Sequence, residues 1–242
     1  MDLKKIRCCF LFVFSLCNIA PAQTQLTDKQ FETYDLLVGA ENTNLYNGTE
    51  FTDLFLNTDG TYRYFKGFDY TPGTIVYNGQ YYVDVLLKYD VLEDNLLARS
   101  DDNLSVFNIQ LLPEFVESFT VRGHHFVKIP KTDLPFSGNG YFEVAYLGDA
   151  LGLYIKRNKK KREKPLKTGI QYSFAESDSY ILKQGSGYNL LGSGRDLRKL
   201  FPGKEDEIRK FYKSYKSLEK SNPDKFYINL IQYLDGQISQ RK

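Results

Sequence analysis

The chain has 242 residues, with 32 basic against 30 acidic side chains and a net charge of +2. Residues 1–22 hold Lys4, Lys5 and Arg7 against Asp2, so the remainder is neutral overall, which excludes a global electrostatic pull toward nucleic acid or an anionic membrane. All three cysteines (Cys8, Cys9 and Cys17) lie in that first segment, so disulfides, thiolate zinc sites and thiol nucleophiles are excluded from everything after it.

Residues 1–22 read as a secretory signal peptide. Lys4, Lys5 and Arg7 form a positive start, an apolar stretch runs from Cys8 to about Ile19, and Ala20-Pro21-Ala22 offers the small residues of a cleavage site. The apolar stretch is about a dozen residues, short of the roughly twenty that span a bilayer. Leu16 ahead of Cys17 does not suit a lipidation site. The expected mature chain starts near Gln23, has no transmembrane helix, and is periplasmic, outer-membrane-associated or extracellular. With no cysteine left, a packed core must stabilise it, and its many Tyr and Phe suit one.

Phe31, Tyr34, Leu37 and Val38 recur at helical spacing. From Glu50 to about Leu182 the pattern is that of strands. Asp59-Gly60 is expected to join Phe51–Asn57 to Thr61–Phe65 as a hairpin, and Asn78-Gly79 to join Thr74–Tyr77 to Gln80–Tyr89, since both dipeptides suit positive φ angles. Tyr81, Val83, Val85, Leu87 and Tyr89 alternate with Asp84 and Lys88, as a strand with one buried face does. Leu96–Arg99, Val106–Leu112, Phe115–Arg122, His125–Ile129, Tyr141–Tyr146 and Leu151–Arg157 follow, with turns at Glu93-Asp94-Asn95, Gly123-His124, Gly138-Asn139-Gly140 and Gly148-Asp149. Ile170–Phe174 and Tyr180–Gln184 form the expected last pair. Near Gly194 the period becomes helical. Leu197, Leu200 and Phe201 precede Pro202-Gly203, and two amphipathic stripes follow: Ile208, Phe211, Tyr212, Tyr215, then Tyr227, Leu230, Ile231, Leu234. Asn222-Pro223 caps the second helix and Gly236 is expected to end it. The predicted fold is thus a β-rich α+β one. An antiparallel meander over residues 23–194, half-barrel or barrel-like, carries C-terminal helices over 195–242 docked on the sheet.

Two stretches, GTIVYNGQYYVDVLLKYDVLEDNLL (73–97) and DLRKLFPGKEDEIRKFY (196–212), together with the lysine-rich hairpin between them, resemble a group of exported proteins of Bacteroidetes bacteria. The resemblance implies an envelope setting and this architecture. It implies no activity and no site residue.

Candidate chemistry is sparse. His124 and His125 are the only histidines; adjacent positions on a strand face opposite ways, so a turn role is favoured over a metal or proton site. Asp84, Asp90, Glu93 and Asp94 are the carboxylates a hydrolase would use, and Asp94, Asp101 and Asp102 lack the spacing of a calcium loop. Gly185, Gly187, Gly192 and Gly194 lack a dinucleotide or P-loop fingerprint and read as a connector. The sharpest local feature is the run Lys156, Arg157, Lys159, Lys160, Lys161 and Arg162. Residues 156–167 hold eight basic side chains against Glu163 alone. The run reads either as a solvated loop whose lysines prevent edge-to-edge strand pairing, the favoured reading, or as a surface for an anionic polysaccharide or lipid headgroups. No cofactor and no nucleic acid is expected. The leading functional expectation is a non-enzymatic envelope protein that binds another macromolecule or supports an assembly. A carrier of a lipid or other apolar ligand and a carboxylate-dependent hydrolase are the alternatives.

Overall fold

The computed structural model describes residues 44–102, 105–134 and 140–239. Residues 1–22, expected to be a signal peptide, the helical spacing at 31–38 and the Gly138-Asn139 turn lie outside the described residues, as do the side chains of Asp101 and Asp102. The strands are β1 Thr49–Glu50, β2 Thr71–Tyr77, β3 Gln80–Asp90, β4 Asn95–Asp102, β5 Ser105–Gln110, β6 Val116–Val121, β7 His124–Lys128, β8 Tyr141–Leu147, β9 Leu151–Lys156, β10 Lys159–Leu166, β11 Gly169–Glu176, β12 Ser179–Gln184 and β13 Gly187–Leu191. Eleven of them form one antiparallel sheet in the order β1-β5-β4-β3-β2-β6-β7-β8-β9-β12-β13, and β10 and β11 form a separate two-stranded ribbon. The large sheet is open, not closed into a barrel. Four helical segments follow: α1 Gly194–Leu200, α2 Glu205–Ser214, α3 Lys216–Ser221 and α4 Pro223–Ser239.

One half of the sheet is nevertheless curled. The link from β5 to β6 is only residues 111–115, yet the two strands lie four places apart in the sheet. Four flat strand spacings are about 19 Å, more than this link can reach, because it contains a turn closed by Phe115 N donating to Leu112 O at 3.1 Å. The concave side this creates is filled with aromatic rings. Phe119 stacks on Phe126 at 4.9 Å, Tyr89 meets both at 5.3 and 5.0 Å, and Tyr141 meets Phe119 at 5.1 Å. The other half packs the helices. Phe226, Leu230, Ile231 and Leu234 of α4 lie buried against Leu151, Leu153, Ile155 and Leu182, each buried side chain contributing about 1.5–3 kcal/mol. Asp235, at the end of this stripe, accepts from the backbone N–H groups of Asp149, Ala150 and Leu151 and from the Tyr146 hydroxyl, fixing α4 to the β8–β9 turn.

Several local expectations are corrected. Phe51–Asn57 and Thr61–Phe65 do not pair with each other. They form an irregular strap whose backbone bonds elsewhere: Asp59 N to Tyr172 O, Phe65 N to Tyr89 O. The basic run is not a loop but strand β10, and Ile170–Phe174 pairs with it rather than with Tyr180–Gln184. The glycine-rich passage contains an edge strand, β13, in a hairpin with β12. The β6–β7 turn is Arg122-Gly123, with φ of 52° and 75°, and His124 already pairs with Val121. In β3 a bulge at Asp84 (φ 54°) shifts the alternation, so Tyr82 joins Val85, Leu87 and Tyr89 in one core cluster, while Val83 is buried outside that cluster and Tyr81 is only half-buried. Helix α4 runs through Gly236, because its apolar stripe and Asp235 hold the last turn from the sheet side.

Candidate functional site

The ribbon and the strap meet as one unit. Thr58 bridges to Tyr172 in parallel, Tyr172 N donates to Asn57 O, and Phe174 N donates to the Thr61 hydroxyl at 2.8 Å. Phe55 packs edge-on against Tyr172 and Phe174 at 4.9 and 5.8 Å. Between strap and ribbon lies a cleft of about 240 Å³, lined by Phe55, Leu56, Tyr62, Arg63, Phe68 and Phe174. That volume is below the range of drug-sized ligand sites.

Strand alternation divides the basic run into two sets. Lys159, Lys161 and Glu163 share the face of Phe174 and Tyr172; Lys160, Arg162 and Lys164 stand on the other face, opposite Ala175, Ser173 and Gln171. The inward set is committed. Lys159 donates to the carbonyls of Tyr62 and Tyr64 at 2.7 and 2.8 Å, and its burial lowers the ammonium below its ordinary value. Lys161 pairs with Glu163 at 2.8 Å and lies over the Phe55 ring. Lys160, Arg162 and Lys164 are exposed, and among the described residues none of them forms an ion pair. They form a ladder of cations about 6.6 Å apart, with only neutral side chains across the ribbon.

The first two members of the run belong to the body. Lys156 donates to Asp94 at 2.6 Å, and burial lowers its ammonium despite that partner. Arg157 is the hub of a buried network. Its guanidinium donates to Glu143 and Asp178 at 2.6 Å each and to both oxygens of Asp224 at 3.1 and 2.7 Å. Burial disfavours the charged guanidinium, but the hydrogen bonds to Asp224, Glu143 and Asp178 outweigh it and hold the group above its ordinary range. Asp224 is likewise pushed up by burial and pulled below its usual value by Arg157 and by the Tyr180 hydroxyl, which donates at 2.7 Å. Glu143 also meets His124 Nδ1 at 2.7 Å, and Lys66 lies 2.9 Å from the ring's other nitrogen. The acceptors of Arg157 are thus the protein's own, and the network joins β8, the β9–β10 and β11–β12 links and α4.

The remaining sequence candidates are dispersed. Asp84 is exposed at its bulge, and Glu93 is exposed. Asp90 is buried in an ion pair with Arg63, and Asp94 serves Lys156 and the Tyr89 hydroxyl. His125 points away from His124, beside Thr120. Among the described residues no group of three or more His, Asp or Glu could hold a metal ion. Sequence reasoning missed Lys88, whose ammonium lies 4.2 Å from the rings of Tyr64 and Tyr70 and 4.7 Å from Phe68. Burial lowers this lysine's pKa. Its cage is built by Tyr64 of the strap and by Phe68 and Tyr70 of the link to β2, and no signal at Lys88 itself points to it. No protein-family model, curated protein or solved structure matches this chain.

Proposed function

We propose that the protein is an exported, non-enzymatic binding protein of a bacterial envelope, which holds an anionic polymer or headgroup surface against the outer face of the β10–β11 ribbon. One observation carries the reading: Lys160, Arg162 and Lys164 are exposed on one face, without a carboxylate partner among the described residues, while Lys159 is bonded to the strap and Lys161 is paired with Glu163. The strand pairing fixes the backbone spacing of the three cations, and exposed unpaired charge attracts opposite charge over about a Debye length. The dispersal of Asp84, Asp90, Glu93 and Asp94 supports a non-enzymatic role. The aromatic packing of the concave side supports surface binding over carriage of an apolar ligand.

The test is charge reversal in the triple variant Lys160→Glu, Arg162→Glu, Lys164→Glu. Binding to dextran sulfate and to vesicles containing phosphatidylglycerol is measured at low and physiological salt. The wild-type protein should bind, more weakly as salt rises, and the variant should bind at least about tenfold more weakly, since each cation near an anionic surface contributes about 1 kcal/mol. Equal binding by both proteins, or none by the wild type, would overturn the reading.

A further inference from the structure

The cation ladder specifies negative charge but not its carrier, and the apolar side chains beside it narrow the choice. Leu54 and Leu56 of the strap are 77 % and 82 % exposed, and Leu166 and Ile170 at the ribbon's far end are 40 % and 43 % exposed. These belong to one neighbourhood. The Asn57 amide donates to the carbonyl of Ile170 at 2.9 Å, and Leu166 sits in the last pair of the ribbon, opposite Gly169. Phe55, between the two leucines, is folded inward onto Tyr172, so Leu54 and Leu56 are left outside a strap that had an apolar surface at hand. Basic charge predominates at the ribbon's end. Residues 164–175 contain Lys164 and Lys167 and no acidic side chain. The strap's Asp53 accepts from the Tyr64 hydroxyl, and its Asp59 accepts from Thr61.

We infer that the end of the ribbon and the adjoining strap seat on the surface of an anionic lipid bilayer. Leu54, Leu56, Leu166 and Ile170 enter the boundary between headgroups and acyl chains, and the lysines lie among the phosphates. This rests on the anionic-surface reading above and names its carrier. A soluble polyanion satisfies the cations and leaves the leucines in water; a neutral bilayer does the reverse. Only a surface that is both apolar beneath and negative at its rim satisfies the two sets together.

The experiment uses the mature chain, vesicles of phosphatidylcholine with and without phosphatidylglycerol, and dextran sulfate as the soluble polyanion. The double variant Leu54→Ser, Leu56→Ser changes only exposed positions. It should bind phosphatidylglycerol vesicles at least about tenfold more weakly, since burying one leucine is worth roughly that factor, and should bind dextran sulfate as the wild type does. The chain has no tryptophan, so Leu56→Trp supplies a single reporter. Its emission should shift to the blue on vesicles containing phosphatidylglycerol and stay unshifted on dextran sulfate. Wild-type vesicle affinity in the serine variant, or an unshifted reporter on bound vesicles, would overturn the inference. Binding to dextran sulfate without binding to vesicles would overturn it while leaving the anionic-surface reading in place, and binding to neither would overturn both.

Discussion

Replacing Arg157 with methionine removes the charge but keeps most of the side chain's volume. Three carboxylates then lose their common partner: Glu143, Asp178 and Asp224, whose side chains are 7 %, 16 % and 29 % exposed. Glu143, the least exposed of the three, keeps His124 as a partner but carries most of the penalty, while the other two recover part of theirs by hydration. Breaking a buried pair by removing one partner costs about 3–5 kcal/mol, so we expect about 4 kcal/mol at pH 7. For a domain of this size that is a fall in Tm of about 8–16 °C. The pH dependence gives a sharper test. In the wild type the carboxyl of Asp224 is held below its ordinary value, so its contribution is present at neutral pH and fades as pH falls through that lowered value. Without Arg157 the largest pull on the Asp224 carboxyl is gone while the burial that raises it remains, so the variant loses less stability in acid than the wild type does. Urea denaturation of both proteins between pH 7 and pH 4 should therefore show the gap narrowing as pH falls. A loss below about 1 kcal/mol at pH 7, or a gap that widens in acid, would refute this account of the network.

Two further outcomes follow from the fold. Asp235→Ala strands the backbone N–H groups of Asp149, Ala150 and Leu151 together with the Tyr146 hydroxyl, and should cost about 2–4 kcal/mol in chemical denaturation. Burial works to raise the pKa of Asp235, but these hydrogen bonds outweigh it and hold the carboxyl below its ordinary value, so the wild type should lose stability below about pH 4 more steeply than the alanine variant. At the β3 bulge, Asp84 is exposed at φ 54°. There Asp84→Gly should be neutral or stabilising by up to about 1 kcal/mol and Asp84→Val destabilising by about 1–2 kcal/mol; thermal melts that rank the two the other way would refute the bulge.

The parts of the fold legible in the sequence are those where local chemistry decides. Asn78-Gly79 makes its turn because both residues accept positive φ, here 51° and 76°. Asn222 starts α4 because its side-chain oxygen receives the Lys225 N–H at 3.0 Å. The failures are where a distant partner decides. Asp59-Gly60 has good turn chemistry, but the segments it joins find better backbone partners in Tyr172 and Tyr89. The alternation of Tyr81 to Tyr89 is regular in sequence, and only the bulge against Gly73 and Ile75 reveals that its phase changes at Asp84. The basic run looked like a loop because lysine has little preference for strands. It is a strand because β11 and the strap supply its apolar backing. Arg157 could not be separated from the ladder by sequence, since its acidic partners lie 14, 21 and 67 residues away.

The lysines of β10 also have a simpler explanation: charged side chains on an exposed strand keep other strands from adding to it. That account requires charge of either sign, and only enough of it to make pairing unfavourable. It does not require Lys160, Arg162 and Lys164 to share a face with neutral neighbours while Glu163 is turned to the other face and neutralised by Lys161. Nor does it require Leu54 and Leu56 to remain in water beside the ribbon, since exposed leucines promote the association that edge charges prevent. Charge reversal separates the two accounts because glutamates guard an edge as well as lysines do. If the ladder is only a guard, the triple glutamate variant stays monomeric and its binding is unaltered; if the ladder recognises an anionic surface, the variant stays monomeric and its binding is lost.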